Sequence, residues 1–281
     1  MSRFSKAYVE ITNICNKSCS FCHGTKRKAR MMSAEEFAVV AKKLRGFTEH
    51  LYFHLLGEPL LHPELPKMLS IAAQNGFNCC ITTNGFLIKQ CADTLLNAER
   101  LYKLSVSLHS FEANETNVSL RDYLEDVWAV CCALSERGTI CALRLWNDGG
   151  KNALNEEIYA FLREKTGLSD WPETRRGSRH LVGKINLENA AKFDWPDINA
   201  PEYEVQFCRG LRDQIAILCD GTVVPCCLDA DGEIALGNIF TEELSDILSS
   251  PRAKALYDGF SNRCPSEELC RKCGYATRFN K

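Results

Sequence analysis

The residues most able to do chemistry are three cysteines that fall within eight positions near the N-terminus. Cys15, Cys19 and Cys22 follow the short apolar run 8–11, so the thiols are expected in a loop directly after a strand. Because the chain has 16 cysteines and no secretory signal is apparent, we expect reduced thiols that bind metal. Most zinc sites show paired Cys-x2-Cys spacing and four ligands, whereas these gaps are three and two residues long. Three thiolates leave one metal position open, which suits an iron–sulfur cluster that binds a further molecule.

The spacing Cys-x3-Cys-x2-Cys, with Phe21 directly before the last cysteine, resembles the radical S-adenosylmethionine (radical SAM) family. The resemblance implies that Cys15, Cys19 and Cys22 hold a 4Fe–4S cluster, whose fourth iron binds the amino and carboxylate groups of SAM. It also implies that Phe21 lies near the adenine, and that SAM is cleaved reductively to a 5′-deoxyadenosyl radical that abstracts hydrogen from a substrate. The motif alone leaves open a structural zinc site or another iron–sulfur loop.

The elements that must position this loop alternate between apolar strands and helical patterns. Strands are predicted at 7–11, 50–56, 77–82, 101–108 and 139–146, with a weaker sixth at 181–187, and helices at 33–44, 63–74, 88–97, 119–135 and 155–166. This alternation favours an α/β fold of parallel βα units. Six units match the partial (β/α)6 TIM barrel of the radical SAM family, in which chemistry lies on the loops after the strands.

Two further loops at expected strand ends carry candidate SAM-binding residues. Gly57, Glu58 and Pro59 follow the second strand and resemble the Gly-Glu-Pro motif of the family, which implies a site for the SAM ammonium group. Taken alone, they are also compatible with an ordinary turn. Asn84 follows the third strand in an Asn-Gly turn, which is a weaker signal.

The fourth and fifth strands add polar residues that need partners in a buried setting. By resemblance, Ser107 contacts the ribose and sulfonium side of SAM, whereas the nearby His109 is equally consistent with a structural role. Arg144 lies within an apolar strand, where a charge is costly unless it is paired. Its partner is expected to be the SAM carboxylate, bound through two hydrogen bonds, or a core carboxylate such as Glu58.

A second group of cysteines marks the C-terminal part of the chain. Cys208 precedes a predicted hairpin with Asp220-Gly221 at its turn, Cys226 ends it, and Cys270 and Cys273 form a Cys-x2-Cys pair. Spacing alone is compatible with zinc or iron–sulfur. The arrangement resembles the SPASM and Twitch extensions of radical SAM enzymes, and one set of four ligands favours the Twitch form with one auxiliary 4Fe–4S cluster. The roles of three further cysteines stay open: Cys219, Cys227 and Cys264.

These features predict a radical SAM core at 1–200 and an auxiliary-cluster domain at 201–281. By resemblance, the auxiliary cluster accepts an electron from the substrate radical, which gives a two-electron oxidation of a small molecule or peptide. Asp229 is a candidate general base for that oxidation, although it also suits an acidic turn. One alternative is a peptide maturase that forms thioether or carbon–carbon links. A second is a non-catalytic iron–sulfur or zinc protein for electron transfer, which the 57–59 loop disfavours.

Composition and charge limit the expected partners. The net charge of −2 argues against a nucleic-acid partner, and no apolar stretch approaches the ~18 residues that span a bilayer. We therefore expect a cytoplasmic protein that receives electrons from a flavodoxin- or ferredoxin-type reductant. The basic run 26–30 is expected to be a solvated loop, or to guide an acidic partner toward the cluster. Because the first strand begins by about Ala7, no fused leader-binding domain is expected, which mildly favours a small-molecule substrate.

Overall fold

The computed structural model describes residues 4–280, which form one mixed sheet of ten strands flanked by helices. In sheet order, β10-β9-β8-β1-β2-β3-β4-β5-β7-β6, the central strands from β8 to β7 are parallel and the outer pairs are antiparallel. The strands are β1 (Lys6–Val9), β2 (His50–Tyr52), β3 (Asn78–Thr83), β4 (Leu101–Ser107), β5 (Ile140–Asp148), β6 (Arg179–Val182), β7 (Ile185–Ala191), β8 (Gln214–Ile217), β9 (Thr222–Val224) and β10 (Gly237–Asn238). The helices are α1 (Ala34–Leu44), α2 (Leu65–Gln74), α3 (Ala92–Leu96), α4 (Leu120–Glu136), α5 (Asn155–Thr166), α6 (Leu244–Ser249), α7 (Pro251–Ser261) and α8 (Glu268–Arg271). This α/β architecture confirms the predicted partial barrel with a small C-terminal hairpin and helix region.

The two faces of the sheet differ in chemistry because strand residues alternate in direction. Leu51, Ile81 and Leu104 point into the main apolar core, which also contains the buried sides of the helices. The alternate residues along each strand point to the opposite face, which is the inner face of the barrel. Polar side chains such as Thr82 and Arg144 are part-buried there. This polar inner face is where a barrel of this kind can hold a ligand.

Local sequence signals explain where the main helices begin and end. Ser33 caps α1 by accepting the N–H of Glu36, and the Glu36 side chain accepts the N–H of Ser33 in return, which forms a capping box. Ser119 caps α4 in the same way through the N–H of Asp122. Gly167 ends α5 in the left-handed conformation, at φ 68°.

The predicted sixth strand is wrong in its extent, because the chain turns in the middle of it. The segment expected as one strand at 181–187 is instead the antiparallel hairpin of β6 and β7, with Gly183 at φ 53° in the turn. The longer second strand of this hairpin, β7, pairs in parallel with β5 and supplies the sixth parallel position. The predicted second strand also ends early, at Tyr52, so residues 53–56 already belong to the loop above the sheet.

The sheet continues across the domain boundary predicted at residue 200. β8, from the C-terminal region, pairs in parallel with β1 along four residues, from Lys6 with Gln214 to Val9 with Ile217. β1 therefore lies between β2 and β8, and the cysteine loop that follows β1 is supported from both regions. Within the described range 4–280, no helix has both the length and the apolar character needed to cross a bilayer.

Candidate active site

The three N-terminal cysteines lie at the mouth of a cavity of about 590 Å³ above the ends of the parallel strands. Cys15 and Cys22 are exposed, and Cys19 is partly buried. The structure brings five of the seven predicted SAM-binding residues to the same cavity: Phe21, Gly57, Glu58, Asn84 and Ser107. The other two, Pro59 and Arg144, are not among its lining residues.

Gly57 lets the second strand-end loop press against the base of the cysteine loop. Its φ is 73°, and a Cβ atom there would lie 2.3 Å from the carbonyl oxygen of Thr12. The next residue, Glu58, donates its backbone N–H to the carbonyl of Ile14 at 3.0 Å. This close approach requires glycine, because a side chain would collide with the backbone that leads into Cys15.

The Glu58 carboxylate joins two loops of the protein instead of standing free. It is 1% exposed, and its oxygens accept the backbone N–H groups of Leu60 at 3.0 Å and Asn84 at 2.8 Å. Burial raises the pKa of Glu58 to about 7, and these N–H groups limit the rise. The resemblance implied a carboxylate that receives the SAM ammonium group; the structure shows one already hydrogen-bonded to backbone. Pro59 is buried and opens a short 3-10 helix, Pro59–Leu61.

Two asparagine side chains reach the sulfurs of the cysteine loop. Asn84 Nδ2 lies 3.8 Å from Cys15 Sγ and 2.8 Å from Asn16 Oδ1. Asn114 Nδ2 lies 3.0 Å from Cys19 Sγ. Asn84 was predicted from its position after a strand, whereas Asn114 was missed, because it belongs to a polar loop without a recognisable motif.

Phe21 is held from two sides. Its ring packs on the ring of His109, with centroids 4.7 Å apart, and its carbonyl accepts a hydrogen bond from Trp195 Nε1 at 3.1 Å. The Nδ1 atom of His109 lies 3.1 Å from the carbonyl oxygen of Arg144 and 3.3 Å from the backbone nitrogen of Trp146, and burial lowers the pKa of His109. His109 therefore supports Phe21 and the end of β5, and Trp195 closes the cavity from the irregular stretch before the C-terminal region.

Arg144 finds its partner within the protein. Its Nε lies 3.1 Å from Glu188 Oε2, its Nη1 donates to Thr82 Oγ1 at 3.3 Å, and its guanidinium lies 4.5 Å from the Trp146 ring centre. Lys103 shares the same carboxylate at 2.7 Å. Burial raises the pKa of Glu188, but the two cations outweigh it and the net shift is downward. The expected core carboxylate is thus Glu188, not Glu58.

A second cavity, of about 670 Å³, opens beside this ion cluster at the β7–β6 side of the sheet. Four cations and one carboxylate are the charged residues that line it: Lys103, Arg175, Arg176, Lys184 and Glu188. The carboxylate of Glu188 is already paired with Lys103 and Arg144. This recess has an excess of positive charge, and it favours anionic ligands.

The four predicted C-terminal ligands lie close enough to one another to influence the pKa of Cys226. Burial raises the pKa of Cys226 well above its usual value, and the nearby thiols of Cys227, Cys208, Cys270 and Cys273 raise it further. Burial raises the pKa of Cys227 to about 11, and the nearby Tyr8 side chain on the inner face limits the rise. Crowded buried thiolates repel one another, and cationic iron is suited to relieve that repulsion.

The donor sets at both sites consist of cysteine thiols, which are the ligands that hold iron–sulfur clusters. In the part of the chain that the structure describes, no three His, Cys, Asp or Glu side chains are arranged to hold one metal ion. Zinc draws its ligand sulfurs to about 2.3 Å from a single centre, whereas each cysteine of a 4Fe–4S cluster can bind a different iron.

Two remaining candidates have structural roles. Cys219 is buried, its N–H donates to Glu10 Oε2 at 3.1 Å, and Arg27 contacts its sulfur at 3.7 Å. Asp229 is 1% exposed and accepts the backbone N–H groups of Glu233 and Ile234, so it caps a turn and is not a free base. The third leftover thiol, Cys264, is exposed.

The prediction of a solvated basic loop at 26–30 is wrong for Arg27. Its Nη2 lies 2.7 Å from Glu10 Oε1, whose side chain is fully buried, and its Nε donates to the carbonyl of Ala230 at 2.7 Å. The side chain therefore crosses from the cysteine loop to the C-terminal region and joins the two.

Comparisons with known proteins agree with this geometry. The family described as "Radical SAM superfamily" matches residues 9–162, more than half of the chain, and SPASM, "Iron-sulfur cluster-binding domain", matches residues 208–274. A probable GTP 3′,8-cyclase of Sulfolobus acidocaldarius is 33% identical over 107 residues, which are 37% of this chain and 34% of that protein. GTP 3′,8-cyclase of Chlorobaculum tepidum is 31% identical over 124 residues, 42% of this chain and 37% of that protein. The chain thus aligns with about a third of the length of these curated relatives.

Solved structures show the same fold over nearly the whole chain. BtrN in complex with AdoMet and 2-DOIA has a TM-score of 0.62 at 17% identity, covering 97% of this chain and 94% of that one. Streptococcus suis SuiB bound to S-adenosylmethionine has a TM-score of 0.64 at 17% identity, covering 97% and 72%. Native anSMEcpe with bound AdoMet and the Kp18Cys peptide has a TM-score of 0.64 at 15% identity, covering 98% and 90%.

The cofactors that follow from these two matched families are SAM, the 4Fe–4S cluster that binds it, and an auxiliary cluster. The chain belongs to the radical SAM superfamily and carries a C-terminal SPASM iron–sulfur domain.

Proposed function

We propose that this enzyme oxidises a small molecule or a peptide by two electrons. When bound, SAM and the clusters supply a 5′-deoxyadenosyl radical that takes a hydrogen atom from the substrate, and an acceptor for the second electron. The observation that carries the proposal is the proximity of Cys208, Cys226, Cys270 and Cys273, of which Cys273 is buried and the other three are partly buried. Four cysteine ligands leave no iron open to substrate, which suits an electron acceptor.

The residues of the N-terminal site have separate proposed tasks. Cys15, Cys19 and Cys22 ligate the SAM-binding cluster and leave one iron for SAM. Gly57 brings the loop backbone close to the SAM amino group, while Glu58 holds Asn84 against the cysteine loop. Two further residues that line this cavity have proposed contacts with SAM: Phe21 with the adenine and Ser107 with the ribose.

Arg144 has a supporting task in this proposal. Arg144 links the two cavities. It donates a hydrogen bond to Thr82, which lines the first cavity, and it pairs with Glu188, which lines the second. Electrons for SAM cleavage come from a flavodoxin- or ferredoxin-type carrier.

The two-cluster requirement is tested by anaerobic reconstitution with iron and sulfide. The wild-type chain should bind about eight irons and release 5′-deoxyadenosine when it is reduced with SAM present. A Cys226→Ser/Cys270→Ser variant should bind about four irons and still cleave SAM, because the N-terminal site is intact. Cys264→Ser, at an exposed thiol outside the proposed ligand set, is the matched control and should keep about eight. About four irons in the wild type would refute the auxiliary cluster and the oxidation with it.

A second candidate is radical rearrangement of a nucleotide, and the cation-rich recess favours it. The curated relatives are named for GTP, a polyanion, and the lining of the recess carries four cations against one carboxylate. The reduced enzyme should then consume GTP in a SAM-dependent way, and Arg176→Gln should weaken that consumption. A peptide maturase remains the other alternative, since SuiB is solved with its precursor peptide SuiA. Turnover of GTP without an oxidised product would replace the first proposal.

A further inference from the structure

One side chain outside the predicted site makes a short N–H contact to a cysteine sulfur of the cluster loop. Asn114 lies in the loop between β4 and α4 and is partly buried. Its Nδ2 group donates to Cys19 Sγ at 3.0 Å and to the carbonyl of Ser110 at 2.7 Å. Its Oδ1 accepts the backbone N–H of Ser18 at 2.9 Å. A single side-chain amide thus makes hydrogen bonds to two consecutive residues of the cysteine loop, Ser18 and Cys19.

The orientation of this amide is fixed by its neighbours. Two of its contacts, Cys19 Sγ and the Ser110 carbonyl, are acceptors, and the third, the Ser18 N–H, is a donor. A flipped amide would place its oxygen against a carbonyl oxygen and its NH2 group against an N–H. The donor therefore points at the sulfur.

The contact to Cys19 differs from the contact to Cys15. Asn84 Nδ2 stands 3.8 Å from Cys15 Sγ and makes its shorter bond, at 2.8 Å, to Asn16 Oδ1. Of these two side-chain contacts, the one from Asn114 is the shorter and therefore the stronger N–H donation to a sulfur.

We propose that Asn114 is a positioning residue that raises the reduction potential of the SAM-binding cluster through its hydrogen bond to the Cys19 sulfur. Reduction adds negative charge that spreads onto the sulfurs, and an N–H dipole aimed at a sulfur stabilises that added charge. The bond to Ser18 keeps the sulfur in place while the charge changes. The inference rests on the proposed ligation by Cys19 and does not depend on the substrate or on the auxiliary cluster.

The test is a redox titration of the reconstituted full-length chain, followed by electron paramagnetic resonance. The signal that changes when SAM is added identifies the N-terminal cluster. Asn114→Ala removes the donor without adding charge, and Asn114→Asp removes the donor but keeps an oxygen for the Ser18 N–H. Both should shift the midpoint potential of this cluster downward and leave that of the auxiliary cluster unchanged.

Asn13 provides the matched control. It braces the same loop through the carbonyl of Lys28 and the N–H of Arg30, without a contact to a cysteine sulfur. Asn13→Ala should leave the midpoint potential at the wild-type value. Asn114→Gln keeps an N–H donor, so its potential should lie between that of Asn114→Ala and that of the wild type.

Two results would overturn the inference. One is an unchanged potential in Asn114→Ala that carries a full N-terminal cluster. The other is loss of iron from both Asn114→Ala and Asn114→Asp with retention in Asn13→Ala, which would make Asn114 a structural brace alone. An auxiliary cluster that fails to form would refute the proposed oxidation but would leave this measurement intact.

Discussion

The imidazole of His54 shows how strongly the inner face acts on a single residue. Its ring meets the rings of Tyr8 and Tyr52 edge-on, and Nε2 lies 3.4 Å from Thr82 Oγ1. Its Nδ1 atom is buried and has no hydrogen-bond partner among the described residues. Burial lowers the pKa of His54 to about 3, and the positive charge of Arg144 contributes. His54 is therefore neutral at every pH at which the enzyme is expected to work.

This lowered pKa makes a signed prediction for stability. An unfolded histidine takes up a proton as the pH falls through about 6.5, whereas folded His54 does not, so acid favours the unfolded chain. Stability from this residue is fully present above pH 6.5 and is lost below it, by at most about 2 kcal/mol at pH 5. Urea unfolding at pH 7.5 and pH 5 should show a smaller acid loss in His54→Gln than in the wild type. Equal losses would mean that His54 is charged when folded.

At this scale the sequence reveals ligand types but not their partners. The three cysteines and the position of Gly57 after a strand could be predicted, because spacing and element order are local. The bond from Asn114 to Cys19 joins residues 95 positions apart, and that from Arg144 to Glu188 joins residues 44 apart. Such contacts depend on sheet register and loop path, which no local pattern specifies.

Among the elements, the loop after β2 depends on backbone shape as much as on side chains. Gly57 has φ 73° and its missing Cβ would lie 2.3 Å from Thr12 O, so Gly57→Ala adds a backbone collision to the left-handed strain. Gly24→Ala is the matched control, with φ 68° and nothing within 4 Å of the added atom. Denaturant unfolding should show a cost of about 1 kcal/mol for the control and a clearly larger one for Gly57→Ala.

Iron content gives a second measure of the same change. Gly57→Ala should load the N-terminal cluster poorly, since Thr12 must move away and Cys15 follows it closely in the chain. Similar stability and iron content in the two variants would show that the loop relaxes freely.

The ion pair between Arg27 of the cysteine loop and Glu10 at the end of β1 also contacts the C-terminal region, through the Ala230 carbonyl and the Cys219 N–H. Arg27 lies 2.7 Å from the fully buried Glu10, so Arg27→Met leaves a buried carboxylate without its cationic partner. The expected loss in unfolding free energy is about 3–5 kcal/mol. The double variant Arg27→Met/Glu10→Gln should recover much of it, because glutamine keeps an oxygen for the Cys219 N–H and carries no charge. If the double variant is no more stable than Arg27→Met, the loss comes from packing.

Element positions were more predictable than their connections. The capping box at Ser33 and the glycine at Gly167 are local signals. The first marks the start of α1, and the second marks the end of α5. The sixth strand was misjudged because the apolar pattern continues through the β6–β7 turn, where Gly183 reverses the chain. Periodicity shows which side chains can be buried, but not where a backbone turns.

In the molecule as a whole, the two cofactor regions share one sheet. β1, which leads into the cysteine loop, takes β8 of the C-terminal region as its parallel neighbour on one side. The radical SAM match ends at residue 162 and the SPASM match begins at residue 208, so the sequence suggests two separable units. The pairing of β1 with β8 instead makes them one structure.

A truncation at residue 200 tests this shared construction. Removing 201–281 leaves β1 as an open edge, and Glu10 loses the N–H of Cys219 while Arg27 loses the carbonyl of Ala230. An exposed edge strand next to a buried ion pair that has lost two hydrogen-bond partners favours aggregation over a stable smaller domain. We expect residues 1–200 to show no cooperative thermal unfolding and little iron after reconstitution, in circular dichroism and iron assays. The full-length Cys226→Ser/Cys270→Ser variant keeps the sheet, and it should unfold cooperatively with about four irons bound. If the truncated chain folds and binds about four irons, the N-terminal region is an independent domain, and β8 covers β1 without being needed for its fold.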